Sequence, residues 1–510
     1  MKTRYSLIFV LFLFAYGCNT RANKQPESRK ISLSNYDEPH RLQFHFSPDS
    51  MWMNDPNGLI FYAGNYHLFY QHYPDDNVWG PMHWGHAISK DLVHWKHLPI
   101  ALYPDSLGYI FSGSAVADRE NTSDFGTKEN PPLVSIFTYH NPKAEQAGRV
   151  DFQSQAIAYS TDSGTTWTKY KNNPVIINNS GSRDFRDPKV FWHEADAKWV
   201  MILAVRDRVH LYSSANLKNW KKESEFTAGT GDSVWECPDL FPLSENGAVK
   251  WIMLVSKSGG GPNGGTGTQY FAGHFDGNKF TCEHNDIRWI DHGPDNYAGV
   301  TWSNVKDRRL FAGWMNNGMY ANKIPTLRWR GAVTAPRELG LVTIKGQSYV
   351  VSNPTEELNS IRGKTVVKKE LAIDSLDFNE MGIKSPLFDL SLTTEDASFE
   401  IKLSNAKGEF LLAGYDAKNK EFYIDRRQSG IKDFSDGFAR RITAKRIEIG
   451  GTVAFRLLVD VGCAEVFADK GEAVMTSLFF PSETYSAFKL ISKGRRKFAE
   501  ISISEMKSIW

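Results

Sequence analysis

The sequence predicts an all-β protein, a five-bladed β-propeller followed by a C-terminal β-sandwich. Three observations carry that expectation. Apolar residues alternate with period two almost throughout, in short runs such as YHLFYQHY (66–73), KWVMILAV (198–205) and KWIMLVS (250–256). Amphipathic helices are missing, apart from a short one expected over 354–362. The strands also recur in blocks of the same internal order, which is the mark of a repeat architecture.

Taken from the N-terminus, the first element is a targeting segment. Lys2 and Arg4 precede an apolar run, Leu7 to Phe14, that is too short to span a bilayer. The run ends at Ala15-Tyr16-Gly17-Cys18, which resembles a bacterial lipoprotein signal with Cys18 as the acylated residue. An ordinary secretory signal cut nearby is the alternative. Residues 1–18 are therefore expected to be a signal and 19–36 a polar tether. No acidic cluster follows Cys18, so anchoring at the periplasmic side of an outer membrane is expected rather than surface display.

Residues 37–345 make up the repeat. SKDLVHW (89–95), STDSGTTW (160–167) and SSANLKNW (213–220) each read as Ser, a polar turn, then Trp, and each follows a strand. A more apolar strand precedes each of them. Before that stands a distinctive opening: WMNDPNG (52–58), FSGSAV (111–116) and FRDPKVFW (185–192). Two further blocks open on WECPDLFPL (235–243) and YAGVTW (297–302). Five units of about four strands are blades arranged radially, and the first strand of each blade lines the central channel. The special openings therefore converge on one funnel. Residues 346–364 read as a linker with the short helix, and 365–510 as the sandwich, with clean alternation in SFEIKLS (398–404) and EFYIDRR (421–427).

Composition narrows the function. With 510 residues, 41% hydrophobic and 23% charged, the chain is a globular protein of two domains. A net charge of +2 gives no case for a nucleic-acid partner. The 15 Trp and 20 Tyr fit many aromatic-cored strands, or a surface that stacks on sugar rings. Beyond Cys18, only Cys237, Cys282 and Cys463 remain, which is no disulfide scaffold. No CxxC pair occurs, so no metal is expected, and nothing implies a cofactor.

Three carboxylates stand out. Asp55, Asp187 and Glu236 open separate blades, and each is followed within two residues by Pro. Proline pushes the residue before it into extended backbone, which would aim these acids into the channel. Asp75, Asp105 and Asp239 read as turn or supporting residues. Facing carboxylates are what glycosidic cleavage needs: one protonates the leaving oxygen, the other attacks or activates water. A third, held ionised by Arg186, would bind sugar hydroxyls more tightly as the ring distorts.

These motifs, together with HWGHAISKDLVHW (83–95), WRGAVTAPREL (329–339) and RLLVDVGCAEVF (456–467), resemble glycoside hydrolase family 32, the β-fructofuranosidases. The resemblance covers nearly the whole mature chain. It implies a retaining two-step mechanism, with Asp55 as nucleophile, Glu236 as acid/base and Asp187 as transition-state stabiliser. It also implies a fructose pocket of Asn54, Gln71, Trp79, Phe111, Ser112 and Arg186, walled by Tyr297 and Trp314. Cys237 is implied as a supporting neighbour. The expected substrate is a fructan or fructo-oligosaccharide, cut from its end. Endo-cleavage, an arabinan- or xylan-acting enzyme of similar blade count, and a non-catalytic glycan-binding lipoprotein are the alternatives. GGGPNGGTGTQ (259–269) is expected either to leave room beside the subsites or to be a flexible hairpin.

Overall fold

The computed structural model describes residues 35–228, 233–447 and 451–510; Cys18 and the signal expected over residues 1–18 lie outside them. Five sheets, each built on four antiparallel strands, follow one another along the chain, and the first and fourth carry a fifth short strand. Their inner strands are Met51–Tyr62 (blade I), Tyr109–Ala117 (II), Arg186–His193 (III), Trp235–Glu245 (IV) and Tyr297–Thr301 (V). Each opens with the motif that marked its block. Trp329–Arg330 leaves blade V and pairs in parallel with Met51–Trp52, so a late segment joins the inner edge of the first blade. Buried apolar side chains, such as Leu203, Met253 and Phe311, pack between successive blades.

The Ser-turn-Trp phrases are the turns into the outer strands. Ser89, Ser160 and Ser214 each cap the turn through their hydroxyls. The indole N–H groups of Trp95, Trp167 and Trp220 donate to the carbonyls of Leu92, Gly164 and Leu217, each three residues earlier. A polar turn that satisfies its own backbone needs little help from the core, so the phrase can repeat while its neighbours vary.

All five inner strands share a second device. Their registers slip at Asn54–Asp55 opposite Gln71, Phe111–Ser112 opposite Thr138, Asp187–Pro188 opposite Leu203, Cys237–Pro238 opposite Val255, and Ala298–Gly299 opposite Gly313. Each slip is a β-bulge, two residues facing one, which re-aims side chains near the mouth of the channel. In blade II the strand past the bulge lies so close to its neighbour that a Cβ on Gly113 would sit 2.0 Å from the Ile136 carbonyl oxygen.

Two expectations change here. Residues 347–354, expected in the linker, form the outer strand of blade V (Gln347–Pro354). The short helix is a 3-10 turn, Glu356–Ile361, and the next strand already starts at Arg362. The apolar residues of 347–354 alternate too weakly to announce a strand. Its partner, Arg337–Ile344, supplies the pairing.

The C-terminal sandwich is one ten-stranded hydrogen-bonded sheet folded into two layers, with Arg362–Asp377 branching onto its last strand. Its long last strand, Ala487–Met506, pairs with Phe399–Ser404 through its first part and with Phe388–Glu395 through its second. Between the layers lies a core that includes Phe388, Ile401, Phe455 and Ile501. The sandwich packs on the propeller through Phe438, Phe467 and Phe480, and through buried ion pairs. Arg337 lies fully buried between Asp291 and Glu465 at 2.8 and 3.0 Å. Its Nη2 also donates to Thr476. The Gly-rich hairpin faces this junction: Asn263 bonds to Thr443 and His292, and receives the Arg440 guanidinium. It is therefore a strut between domains rather than open space beside the channel mouth.

Candidate active site

At the channel mouth lies a cavity of about 600 Å³. It is lined by all eleven residues expected there: Asn54, Asp55, Gln71, Trp79, Phe111, Ser112, Arg186, Asp187, Glu236, Tyr297 and Trp314. They come from all five blades, so the bulges bring together residues spread over 261 positions (54 to 314, both ends counted).

Asp55 is braced on both oxygens. Ser112 Oγ donates to its Oδ2 at 2.7 Å, and Asn54 Nδ2 to its Oδ1 at 2.9 Å. Asn54 is in turn fixed by the indole N–H of Trp52, at 2.7 Å. Burial pushes the Asp55 carboxyl above its ordinary range, against those hydrogen bonds, and the charge of Glu236 adds to the rise.

Asp187 is the most enclosed of the three acids, 6% exposed. Its Oδ2 accepts the Cys237 N–H at 3.0 Å, and its own N–H donates to Thr138 Oγ1. Burial, with Asp55 and Glu236 close by, raises its carboxyl to about 7. Two expectations fail at this residue. Asp187 and Cys237 both precede Pro, yet both sit in the left-handed region, at φ 64° and 43°. The bulge overrides the preference for extended backbone, and the strain is held by the cross-blade hydrogen bonds. Arg186 also does not hold Asp187. Its guanidinium bonds Glu236 Oε1, with Nη2 at 3.1 Å, and Asp184 Oδ1, at 2.6 Å. It therefore lowers Asp187 only through space, and burial outweighs it.

Glu236 accepts from Arg186 on one oxygen and from the Tyr297 hydroxyl on the other. The Cys237 thiol lies 3.4 Å from Asp55 Oδ2 and 3.6 Å from Asp187 Oδ2, and so bridges two of the carboxylates. Burial and the surrounding negative charge raise that thiol well above its usual range, which keeps it a neutral donor.

Two buried donors in the lining, Gln71 Nε2 and Trp314 Nε1, have no protein partner. Buried donors are nearly always satisfied, so these two mark where a ligand's oxygens would be received. Trp79, 47% exposed, forms the rim, where its backbone N–H donates to Asn322 Oδ1 and its ring meets Phe111 edge-on.

Sequence reasoning missed ten residues of the lining, among them Trp52, Asp184 and Asn322. The first two were within reach, since Trp52 opens the WMNDP motif and Asp184 stands two residues before Arg186. Asn322 had no signal, because it arrives on a short 3-10 turn, Ala321–Lys323, after blade V's second strand. Of the supporting acids, Asp239 accepts Lys189 at 3.0 Å and Thr301 deep in the channel, while Asp105 accepts Lys169 and Tyr139 at a turn.

A family model described as "Glycosyl hydrolases family 32 N-terminal domain" matches residues 45–354, and one described as "Glycosyl hydrolases family 32 C terminal" matches 357–505. The chain is 45% identical to a levanase of Bacillus subtilis (strain 168), covering 100% of this chain and 76% of the levanase. It is 39% identical to an extracellular exo-inulinase of Aspergillus niger, covering 93% and 96%. Among solved structures, an exo-inulinase from Aspergillus awamori superposes with a TM-score of 0.85 at 36% identity, covering 93% of this chain and 100% of that one. A fructofuranosidase variant from Schwanniomyces occidentalis, complexed with fructosylnystose, gives 0.86 at 30% identity over 94% and 99%.

Proposed function

The chain belongs to glycoside hydrolase family 32, and from that premise we propose that it hydrolyses β-fructofuranosidic bonds in fructans, releasing fructose from chain ends with retention of configuration. One observation carries the reading: three carboxylates from blades I, III and IV meet in one pocket, each held in a different setting.

Asp55 attacks the anomeric carbon, and its two braced oxygens fix the line of attack. Glu236 gives its proton to the departing oxygen as the glycosidic bond breaks. It then takes a proton from water, whose oxygen displaces Asp55 and frees fructose. Asp187 meets the positive charge that develops on the sugar ring, which offsets the crowding that raises its own carboxyl. Gln71 and Trp314 supply donors to the fructosyl hydroxyls. The levanase and exo-inulinase relatives support a fructan substrate, and the exo-inulinase names support cleavage from the end.

Digestion of inulin, levan and sucrose in parallel, with timed chromatography, tests this. Fructose is expected as the sole early product from inulin and levan, with equimolar glucose and fructose from sucrose, and an early ladder of oligosaccharides from either polymer would replace the exo reading with an endo one. We further propose that residues 1–18 export the chain and that Cys18 carries lipid, with 19–36 as tether. Replacing Cys18 by Ala should free the enzyme from the membrane fraction, and unchanged fractionation would refute the anchor.

A further inference from the structure

A second hollow, of about 730 Å³, lies outside the catalytic pocket and shares Arg183 and Asp184 with it. Its position follows from the registers of blade III. Ala204 pairs with Arg186, Val205 with Arg208, and His210 with Glu225. The turn at Arg206–Asp207 and the outer-strand residue Glu225 therefore lie at the same end of the blade as Arg186. The hollow is a groove running outward over blade III, from the inner strand to the outer one.

Most of the charges lining the groove are already paired, Arg183 with Glu145 and Asp184 with Arg186 of the neighbouring catalytic pocket and the others within the groove, while Arg206 makes no ion pair among the described residues. Arg208 meets Glu225 at 3.2 Å and Asp207 at 3.3 Å, Lys222 meets Glu225 at 3.0 Å, and Arg183 meets Glu145 at 3.1 Å. Such a lining offers donors and acceptors side by side with little net charge. It suits a neutral polyhydroxylated chain better than an anion, which would have to break these pairs. The volume falls within the range of about 300–1,000 Å³ typical of ligand sites. The link to the chemistry is direct. Glu236 is bonded by Arg186, Arg186 by Asp184, and Asp184 forms the shared rim.

We propose that this groove binds the fructosyl units beyond the scissile bond, so that a fructan leaves the pocket past Glu236 and lies outward over blade III. The inference rests on the fructan-hydrolase reading above. It makes the groove a determinant of polymer against disaccharide, because a leaving group of one sugar ends at the shared rim.

The test compares kcat/KM for long-chain inulin and levan with that for sucrose. The variants are the double substitution Arg206→Ala with Arg208→Ala and, independently, Asn179→Trp, which places bulk at an exposed groove position. Loss of one or two hydrogen bonds should lower kcat/KM on at least one polymer about fivefold to thirtyfold, with sucrose changed less than about twofold. Intact sucrose turnover also shows that the variants fold. Active variants whose polymer and sucrose rates stay equal to wild type, or fall together, would overturn the groove alone. A wild-type enzyme inactive on all three substrates would overturn the fructanase reading and this inference with it.

Discussion

Replacing Asp187 by Asn should stabilise the protein at neutral and alkaline pH while abolishing its activity. In the folded chain this carboxyl titrates at about 7, against an ordinary value of 3.8. The folded state thus binds the proton more tightly than the unfolded one. Stability tied to that proton is fully present below about pH 4, and is lost as pH rises through 7. A rise of about three pH units, at about 1.4 kcal/mol each, sets a ceiling of about 4 kcal/mol. The neighbouring carboxylates share part of that strain, so about 2 kcal/mol is the working expectation. The amide keeps an oxygen that can accept the Cys237 N–H, so that backbone donor keeps its partner. Urea denaturation of both proteins at pH 4 and pH 8, followed by tryptophan fluorescence, reads the difference. The variant should gain stability on wild type between pH 4 and pH 8. A difference that does not change with pH, or that runs the other way, would refute the electrostatic reasoning.

Other outcomes follow from the same geometry. Asp55→Ala or Glu236→Gln should each lower turnover of inulin or levan by about 10⁴-fold or more, measured as fructose release, because the two groups act on one bond in sequence. Tyr297→Phe removes one of the two residues that hold Glu236 and should lower kcat about tenfold to a hundredfold in steady-state assays, with KM less affected. Arg337→Ala leaves Asp291 buried without its cation and Glu465 with His45 alone, and should cost about 3–5 kcal/mol by chemical denaturation. Gly113→Ala drives a methyl into the Ile136 carbonyl and should reduce the yield of folded protein, seen by size-exclusion chromatography.

Much of this was legible in the sequence, for local reasons. A blade is four short antiparallel strands, so period two, turn residues and the Ser-turn-Trp phrase all appear in the linear chain. The acids Asp55, Asp187 and Glu236 stood at matching places in that repeat, which is why they could be read together. The bulges could not be read, because a slip in register is a relation between two strands. Their consequence, the left-handed backbone at Asp187 and Cys237, runs against what a following Pro implies. Nor could the partner of Arg186 be chosen. Asp187 is adjacent in sequence, but neighbouring residues on a strand point apart, and the guanidinium turns to Asp184 and to Glu236 in the next blade. The outer strand of blade V was hidden because its pairing comes from Arg337–Ile344, not from its own pattern.

The stereochemistry of the first product tests the two-step assignment of Asp55 and Glu236 most directly. Cleavage of sucrose in water containing methanol lets methanol compete with water for the fructosyl group, and proton NMR of the trapped glycoside reports its anomer. Attack by Asp55 followed by methanol predicts methyl β-fructofuranoside; methyl α-fructofuranoside as the enzymatic product would contradict it.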